Sequence, residues 1–513
     1  MRRRREPQNA VRTQHRFFLA VAAMWASGSL VLACGASDSP ASGDLQTSAQ
    51  DAAQETTATA IDGAVASEDS GVAPGDAARA IPRSTDAGAV AAREAGGTDA
   101  AAGDFGMPSS TYPAFAPDFG QIVNNNGYVM KSPIVVPITW NTDASQATFD
   151  AFTDALGASS YWQTIAKDYG VGPASSGSAN HAHVAGTPPT MLTETMDANS
   201  DLAKLVAANA GTSWPAPTKD TIYAFFLPPG TSLRLPTQMG GPATDACMQG
   251  IGGYHTSIPA AAGQADLAYA VVIACGGANA AVQEETLSMS HEIIETASDP
   301  FGGIGSGQNF GWFGFDGDHF AFEYFNELQA EIGDTCEFFR EAFLMGDASF
   351  PYALQRIWSN SSALAGHHPC VPVPSGPYFN VTPLGLTAVN VTVPGSLTGG
   401  NAQTASTRGV RILNGTVGTF TVGFYSDGPT GVAWSITASA GNPILRGGGD
   451  FLGQMNPSSI VATIDKASGQ NGEKAHVTVQ VTTSGTAFHG ELLTITSNLN
   501  AVRHYMPIWI AGE

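Results

Sequence analysis

Apolar and polar positions divide the chain downstream of residue 105 into two stretches of different periodicity. In the first stretch, runs of β-branched and aromatic residues alternate with segments whose apolar residues recur at helical spacing. This pattern predicts buried strands and helices, namely strands at 134–140, 221–227 and 267–274 and helices at 149–169 and about 280–298. We therefore predict an α/β or α+β domain over residues 106–374.

After residue 374 the chain shows short alternating segments rich in β-branched residues, separated by Gly, Asn and Ser. No helical period competes with these segments, which lie at 418–424, 432–436, 476–481 and 492–496. The pattern is typical of an antiparallel β-sandwich, and we predict an all-β, immunoglobulin-like sandwich over residues 375–513. The sandwich has no cluster of titratable residues, which favours a packing or adhesion role.

The N-terminus has the pattern of an export signal. Several arginines precede an uncharged run at 17–33, and Cys34 directly follows the small residue Ala33. This arrangement predicts a signal peptide over residues 1–33. The junction resembles a bacterial lipobox, which implies a lipid anchor on Cys34 and an outer-membrane lipoprotein. Simple secretion and a retained transmembrane anchor are the alternatives, although the run is shorter than the roughly 20 residues that span a bilayer.

Composition separates the next segment and excludes one class of partner. Residues 34–105 are dominated by Ala, Ser, Gly, Thr and Asp, and such a segment buries too little apolar surface to offset its conformational entropy. We predict a disordered tether there. The whole chain has 22 Lys+Arg against 44 Asp+Glu, a formal net charge of −22, so it lacks the basic residues that nucleic-acid binding needs. The predicted location is the bacterial cell envelope, or the medium if the protein is secreted.

The cysteine count is consistent with export. The chain has five cysteines, and with Cys34 assigned to the lipid, four remain, which allow three pairings. The pairs Cys247–Cys275 and Cys336–Cys370 each close a local loop and are favoured, although a long insertion separates the second pair. A cysteine-ligated zinc site is the alternative, but no CxxC spacing supports it.

The sharpest chemical signal is His291-Glu292-Ile293-Ile294-Glu295 in the second predicted helix. On a helix, His291 and Glu295 project from one face and can bind one ion. Glu292 lies one position further round, where it can act as the general base, as the Glu of HExxH peptidases does. About forty residues later, Glu331 is the predicted third ligand, and Asp334 the residue that orients His291 from outside the coordination sphere.

Several alternatives remain open at this motif. An acidic, solvated helix face with an incidental histidine and a purely structural ion-pair cluster both have the same pattern. Asp334 or Asp299 can replace Glu331 as third ligand. Two carboxylates weaken the Lewis acidity of a bound ion. A carboxylate-rich site also shifts the preference from Zn²⁺, the first candidate, toward Mn²⁺ or Ca²⁺. His255 or Tyr254 is the candidate for stabilising an oxyanion, and the alternative is that both only pack beside a disulfide.

A second histidine pair stands outside the motif. His181 and His183 alternate as on a strand, so both can point to one side and bind a metal. An exposed polar loop is the alternative interpretation.

A series of motifs between about Tyr128 and Glu337 resembles the phosphate-induced protein 1 (exordium-like) family. The series runs in one order: Tyr223–Gly230, Cys247, Gly252-Gly253-Tyr254-His255, Tyr269–Val272, Ser290-His291-Glu292 with Glu295 and Asp299-Pro300, and Glu331-Ile332-Gly333-Asp334-Thr335-Cys336. The resemblance implies an extracellular protein with a zincin-like His-Glu-x-x-Glu helix.

Together these patterns predict an exported surface lipoprotein with a metal-dependent, zincin-like peptidase domain. The alternative is a non-catalytic surface binding or adhesion protein whose metal is structural. The predicted partners are the membrane, through the lipid on Cys34, and a peptide or cell-surface polymer.

Overall fold

The computed structural model describes residues 104–512 except 196, 237–242, 259–265, 277–280, 302–308, 326–330, 338, 340, 394–402, 442, 447–449, 455–457 and 483–489. The predicted signal peptide at 1–33, the predicted lipidation site Cys34 and almost all of the predicted tether at 34–105 lie outside the described residues.

The first part of the described chain mixes helices with short strands. The helices are α1 (Gln146–Leu156), α2 (Ser160–Ile165), α3 (Asp201–Asn209), α4 (Ala281–Ser298), α5 (Phe320–Phe325), α6 (Asp334–Glu337) and α7 (Asn360–Ala365). The strands are β1 (Ile122–Asn124), β2 (Ile134–Trp140), β3 (Ala182–Val184), β4 (Met191–Thr193), β5 (Thr221–Leu227), β6 (Ser232–Leu235), β7 (Thr244–Asp245), β8 (Gly253–Ile258), β9 (Leu267–Ile273), β10 (Trp312–Phe315), β11 (Phe343–Leu344), β12 (Leu354–Gln355), β13 (Ile357–Trp358) and β14 (Cys370–Val371).

The second part consists of strands. They are β15 (Phe379–Leu384), β16 (Thr387–Val393), β17 (Gln403–Ile412), β18 (Val417–Ser426), β19 (Trp434–Ala440), β20 (Pro443–Arg446), β21 (Asp450–Gln454), β22 (Ile460–Ile464), β23 (Ser468–Gly469), β24 (Lys474–Val481), β25 (Glu491–Leu499) and β26 (Val502–Gly512).

A five-stranded mixed sheet organises the first part. Its order is β3-β2-β5-β9-β8, in which the first four strands are parallel and β8 runs antiparallel to β9. The three predicted strands are confirmed as β2, β5 and β9. Strand β5 is buried along its whole length, because alternate residues enter two separate cores on opposite faces of the sheet. A strand covered on both faces reads as one continuous apolar run.

Helix α4 lies on one face of this sheet and packs against β5, β8 and β9. Met289, Ile293 and Ile294 enter the core of that face and are fully buried. The helix ends at Ser298, directly before Asp299-Pro300, as predicted. The structure therefore confirms the predicted helix that carries the His-Glu-x-x-Glu motif.

The predicted single helix at 149–169 is wrong, because the structure has two helices, α1 and α2, in its place. Gly157 ends α1, and a Cβ on this residue would lie 1.9 Å from the carbonyl oxygen of Ala174. Ser159 then caps α2 by accepting a hydrogen bond from the Trp162 N–H. The helical spacing of apolar residues continues past Gly157 and Ser159, so the spacing alone did not show that the helix ends there.

The C-terminal stretch forms a β-sandwich, as predicted. One sheet has the order β15-β18-β24-β22, and the other has the order β16-β17-β26-β25-β19-β23. All pairs are antiparallel except β17 with β26. The sandwich does not pack as an isolated body, since α5 contacts β17 and β26 and one hydrophobic core continues from α4 into the sandwich.

The predicted fold class, an α/β or α+β zincin-like domain followed by the sandwich, is wrong. Among the residues that the structure describes, strand accounts for 38% and helix for 18%, so this part of the chain is mostly β-sheet and sandwich-like. Two features of the first part explain the error. The predicted helix at 149–169 is two shorter helices, and stretches that read as irregular pair as short strands such as β11–β12 and β13–β14.

Two disulfides join the favoured cysteine pairs, Cys247–Cys275 and Cys336–Cys370, which confirms the local pairing. Disulfides persist in oxidising compartments, so both bonds are compatible with an extracellular or surface protein. None of the helices in the described part of the chain has the length and apolar character that crossing a bilayer requires.

Candidate metal centre

Helix α4 brings the predicted ligands His291 and Glu295 together in the protein interior. His291 Nε2 lies 2.8 Å from Glu295 Oε2, and both residues are 1% exposed. Their i, i+4 spacing places them on one face of the helix, as predicted. The neighbouring Glu292 is equally buried and belongs to the same group of potential ligand atoms.

Strand β8 supplies a second histidine to this site. Successive side chains of a strand point to opposite faces, so His255 faces α4 while Tyr254 faces the other core. The Tyr254 hydroxyl donates to Glu194 Oε2 at 2.7 Å, and burial, followed by the Glu194 charge, raises the pKa of Tyr254 well above its ordinary value. Tyr254 therefore takes no part in the site, whereas His255 does.

His255 connects α4 to the segment that follows α5. Its Nδ1 atom lies 3.5 Å from Glu292 Oε2 and 3.8 Å from Glu295 Oε2, and its Nε2 atom lies 3.8 Å from Glu331 Oε1. Glu331, the predicted third ligand, thus reaches the site beside His255. His255 and Glu331, each 7% exposed, are more accessible than the helix residues.

The segment 331–337 holds the Glu295 carboxylate in place. Glu295 Oε1 accepts hydrogen bonds from the backbone N–H groups of Gly333, at 2.6 Å, and Asp334, at 3.2 Å. Gln355 fixes this segment against α4, because its side-chain amide donates to the Gly333 carbonyl and its backbone N–H donates to Ser290 Oγ. One carboxylate oxygen is therefore oriented by backbone donors, and the other faces His291.

Two glycines allow the side chains to approach this closely. A Cβ on Gly253 of β8 would lie 2.6 Å from Glu292 Oε1, and one on Gly333 would lie 2.7 Å from Glu295 Oε1. Both distances are too short for a real contact. An alanine at either position would therefore push the contacted carboxylate out of its place.

Helix α6 adds two further carboxylates around His291. Asp334 Oδ1 lies 3.6 Å from His291 Nε2, the same nitrogen that faces Glu295, and Glu337 Oε1 lies 3.7 Å from His291 Nδ1. Asp334 therefore stands where a ligand would, and Glu337 stands behind the ring. Sequence reasoning missed Glu337, although its i+3 spacing from Asp334 on a helix places both on one face.

The donor groups fit a divalent cation. His255, Glu295 and Glu331 form one set whose ligand atoms lie within 4.8 Å of one another, and His291, Glu292 and Glu295 form another. Glu295 belongs to both sets, so the predicted trio of His291, Glu295 and Glu331 is divided between them. Imidazole with carboxylate is a donor set that suits zinc and manganese.

Asp299, the other predicted alternative ligand, is turned toward a different part of the chain. Its Oδ1 atom accepts a hydrogen bond from the Gly311 N–H at 2.9 Å. Its backbone N–H donates to the Glu295 carbonyl, in the pattern of the helix that ends just before it. Within the described residues neither Asp299 nor Asp334 belongs to a group of three whose ligand atoms all lie within 4.8 Å, but Asp334 approaches His291 Nε2 at 3.6 Å.

Comparisons with known proteins identify no family for this chain. No protein-family model matches it, and no curated protein matches it. Domains 4 and 5 of the S-layer protein SbsC match with a TM-score of 0.14 and 13% identity over 26% of this chain and 75% of that one. The titin M3 domain matches with a TM-score of 0.13 and 9% identity over 20% of this chain and 88% of that one. A PapD-like domain of human CEP192 matches with a TM-score of 0.15 and 15% identity over 21% of this chain and 81% of that one. These low TM-scores carry no argument about function.

Proposed function

We propose that this chain is an exported metalloprotein whose centre on α4 binds one divalent cation, Zn²⁺ in the first instance, and hydrolyses peptide bonds. His291, Glu295 and Asp334 are the proposed ligands. The observation that carries the proposal is the approach of two carboxylate oxygens, Glu295 Oε2 at 2.8 Å and Asp334 Oδ1 at 3.6 Å, to the same ring nitrogen of a buried histidine.

The position of Glu337 supports this ligand set. A histidine that binds a metal through one ring nitrogen usually has a carboxylate or carbonyl group beside the other. Glu337 Oε1 occupies that position relative to His291 Nδ1, at 3.7 Å. Asp334 therefore replaces Glu331 as the proposed third ligand, and Glu337 takes the orienting role that the sequence had suggested for Asp334.

Charge also supports a cation at this centre. Five buried carboxylates, those of Glu292, Glu295, Glu331, Asp334 and Glu337, surround two histidines. A histidine that binds a metal must be neutral, so with every carboxylate ionised the formal charge is −5, and a divalent ion reduces it to −3. Buried charge is costly unless it is paired or binds a metal.

Two residues have the positions of acid–base groups. When bound, the cation would act as a Lewis acid on a carbonyl oxygen. Glu292 lies beside the ligands, where it can accept a proton from an attacking water. His255 stands on the more accessible side, 3.5 Å from Glu292 Oε2, where it can donate a hydrogen bond to a developing oxyanion, with Glu331 orienting it.

The test combines metal analysis with a peptide-cleavage assay on the full chain. Wild-type protein should retain zinc and cleave members of a peptide library, and Glu292→Gln should retain zinc while losing at least ~100-fold in rate, the usual share of a general base. Glu491→Gln, in the sandwich, is the matched control and should cleave as wild type does. Equal cleavage rates in wild type and Glu292→Gln would contradict the assigned base.

A second candidate function, a purely structural metal centre, is favoured by the burial of the site. His291, Glu292 and Glu295 are each 1% exposed, which suits an ion that holds α4, β8 and α6 together. In that case the wild type and Glu292→Gln both retain zinc, neither cleaves any peptide, and chelation lowers the thermal unfolding temperature of both.

A further inference from the structure

A second group of histidines and carboxylates lies at the outer edge of the five-stranded sheet. His181 directly precedes β3 and His183 lies within it, so strand alternation places both on one side. Asp150 and Asp154 are one turn apart on α1 and face the two histidines. This edge-strand group shares no residue with the centre on α4.

The distances within this group match those of ligands around one ion. Asp150 Oδ2 lies 3.5 Å from His181 Nδ1 and 3.5 Å from His183 Nε2. Zinc binds nitrogen and oxygen at about 2.0–2.2 Å with tetrahedral geometry, which sets neighbouring ligand atoms about 3.3 Å apart. Among the described residues, these three form one of the sets whose ligand atoms lie within 4.8 Å of one another.

The other ring nitrogen of each histidine already has a partner. His181 Nε2 lies 2.9 Å from Asp154 Oδ1, and His183 Nδ1 lies 2.9 Å from the hydroxyl oxygen of Thr139. Thr139 is the buried neighbour of His183 in the β2–β3 register. Each imidazole is thus held by one nitrogen while the second faces Asp150, and metal-binding histidines are oriented in this way.

Accessibility separates this group from the centre on α4. The side chains of Asp150, His181 and His183 are 14%, 15% and 30% exposed, so an ion can reach them from solvent. The second carboxylate oxygen of Asp150, Oδ1, is buried and has no hydrogen-bond partner in the described part of the chain. A cation beside Asp150 would offset the burial of this carboxylate.

We propose that His181, His183 and Asp150 form a second binding site, for one Zn²⁺ ion, with the fourth coordination position open to water. Two imidazoles and one carboxylate favour a first-row transition metal over Mg²⁺ or Ca²⁺, which prefer all-oxygen sites. Asp154 and Thr139 are positioning residues that act through the two histidines. Bound zinc would connect strand β3 to α1 and so protect this strand, which among the described strands pairs with β2 alone.

The test is a calorimetric Zn²⁺ titration of the chelator-treated full chain, with Co²⁺ absorption as a report on tetrahedral geometry. The wild type should bind two equivalents, and His183→Ala and the isosteric Asp150→Asn should each lose one. Thr139→Val should keep both equivalents but weaken one of them ~10–100-fold, the usual effect of removing the partner of a ligating histidine. His367→Ala, which removes an exposed histidine paired with Asp427, is the matched control and should bind as wild type does.

The two metal sites fail in different ways. Glu295→Gln should lose the equivalent on α4 and retain the one that depends on His183. Unchanged Zn²⁺ stoichiometry and affinity in folded Asp150→Asn and His183→Ala, with folding checked by circular dichroism, would overturn the edge site and leave the centre on α4 untouched. If His183→Ala loses an equivalent while Glu295→Gln loses none, the edge site stands and the proposed centre on α4 fails.

Discussion

Replacing Gly333 by alanine tests the centre on α4 directly, because the added methyl group would occupy space that the site's own side chains fill. An ideal Cβ at residue 333 lies 2.7 Å from Glu295 Oε1 and 2.8 Å from His291 Cε1. Favourable contacts between carbon atoms begin at about 3.5 Å, so the backbone of residue 333 and the two side chains must separate by roughly 0.7 Å. Such a shift lengthens the hydrogen bond from the Gly333 N–H to Glu295 Oε1, which is 2.6 Å long in the wild type.

The expected effects follow from this displacement. Overpacking of a close-packed site costs ~1–3 kcal/mol, while the lower entropy of an unfolded chain with alanine returns ~0.4–1 kcal/mol, so the free energy of unfolding should fall by up to ~2.5 kcal/mol. The loss of an oriented ligand should weaken zinc binding ~10–100-fold. Zinc affinity is measured by competition with a chromophoric chelator, and stability by urea unfolding of the metal-depleted protein.

A matched control separates the local clash from a general effect of the substitution. Gly428→Ala, in the sandwich, places a Cβ 3.5 Å from Pro377 Cβ, which is an ordinary contact. It should leave the zinc affinity unchanged. If Gly333→Ala binds zinc as tightly as Gly428→Ala does and unfolds at the same urea concentration, then the segment 331–337 does not pack against His291, and the proposed ligand set is refuted.

Three further predictions concern buried charges and a disulfide. Burial raises the pKa of Glu285 well above its ordinary 4.5, so the unfolded chain loses this proton first and the free energy of unfolding falls as the pH rises above about 4.5. Glu285→Gln should flatten this decline, measured by urea unfolding up to pH 8. An unchanged slope would contradict the raised pKa. Burial lowers the pKa of His504 from 6.5 to about 3, so the unfolded chain binds a proton first and stability falls as the pH drops below 6.5. His504→Phe should therefore shift the midpoint of acid unfolding to lower pH. No shift would show that this proton is not coupled to unfolding. Replacing Cys336 and Cys370 by serine opens a loop with a sequence separation of 34, which should lower the free energy of unfolding by about 3–4 kcal/mol. Zinc binding should also weaken, because Cys336 lies in α6. Unchanged zinc affinity would show that the disulfide does not support the site.

The sequence predicted those parts of the site that depend on local periodicity. His291 and Glu295 approach each other because four residues make about one helical turn, and this spacing is independent of the remainder of the fold. The three buried strands were also predictable locally, because strands covered on both faces are continuous apolar runs. The local disulfide pairs also followed from short-range considerations.

The sequence could not predict the parts that depend on long-range packing. Glu331 approaches His255 and Asp334 approaches His291 because of where segment 331–337 lies on α4, and no spacing within that segment determines which acid reaches which ring. The division of the helix at 149–169 had a similar cause, because Gly157 lies against a backbone carbonyl of a residue 17 positions later. The overall weighting toward β-structure was missed because two-residue strands have no measurable period.

The charge of the α4 centre couples cation binding to folding. The five carboxylates come from α4 and from segment 331–337, which the unfolded chain keeps apart and solvated. Folding brings them together in the interior, where their repulsion and their lost hydration oppose the packing of Met289, Ile293 and Ile294 on the sheet. A cation that binds only the folded chain at a hundred times its dissociation constant contributes about 2.7 kcal/mol. The ion therefore favours the same arrangement of α4, β8 and α6 that the apolar face of α4 favours, and both proposed functions of the centre include this stabilisation.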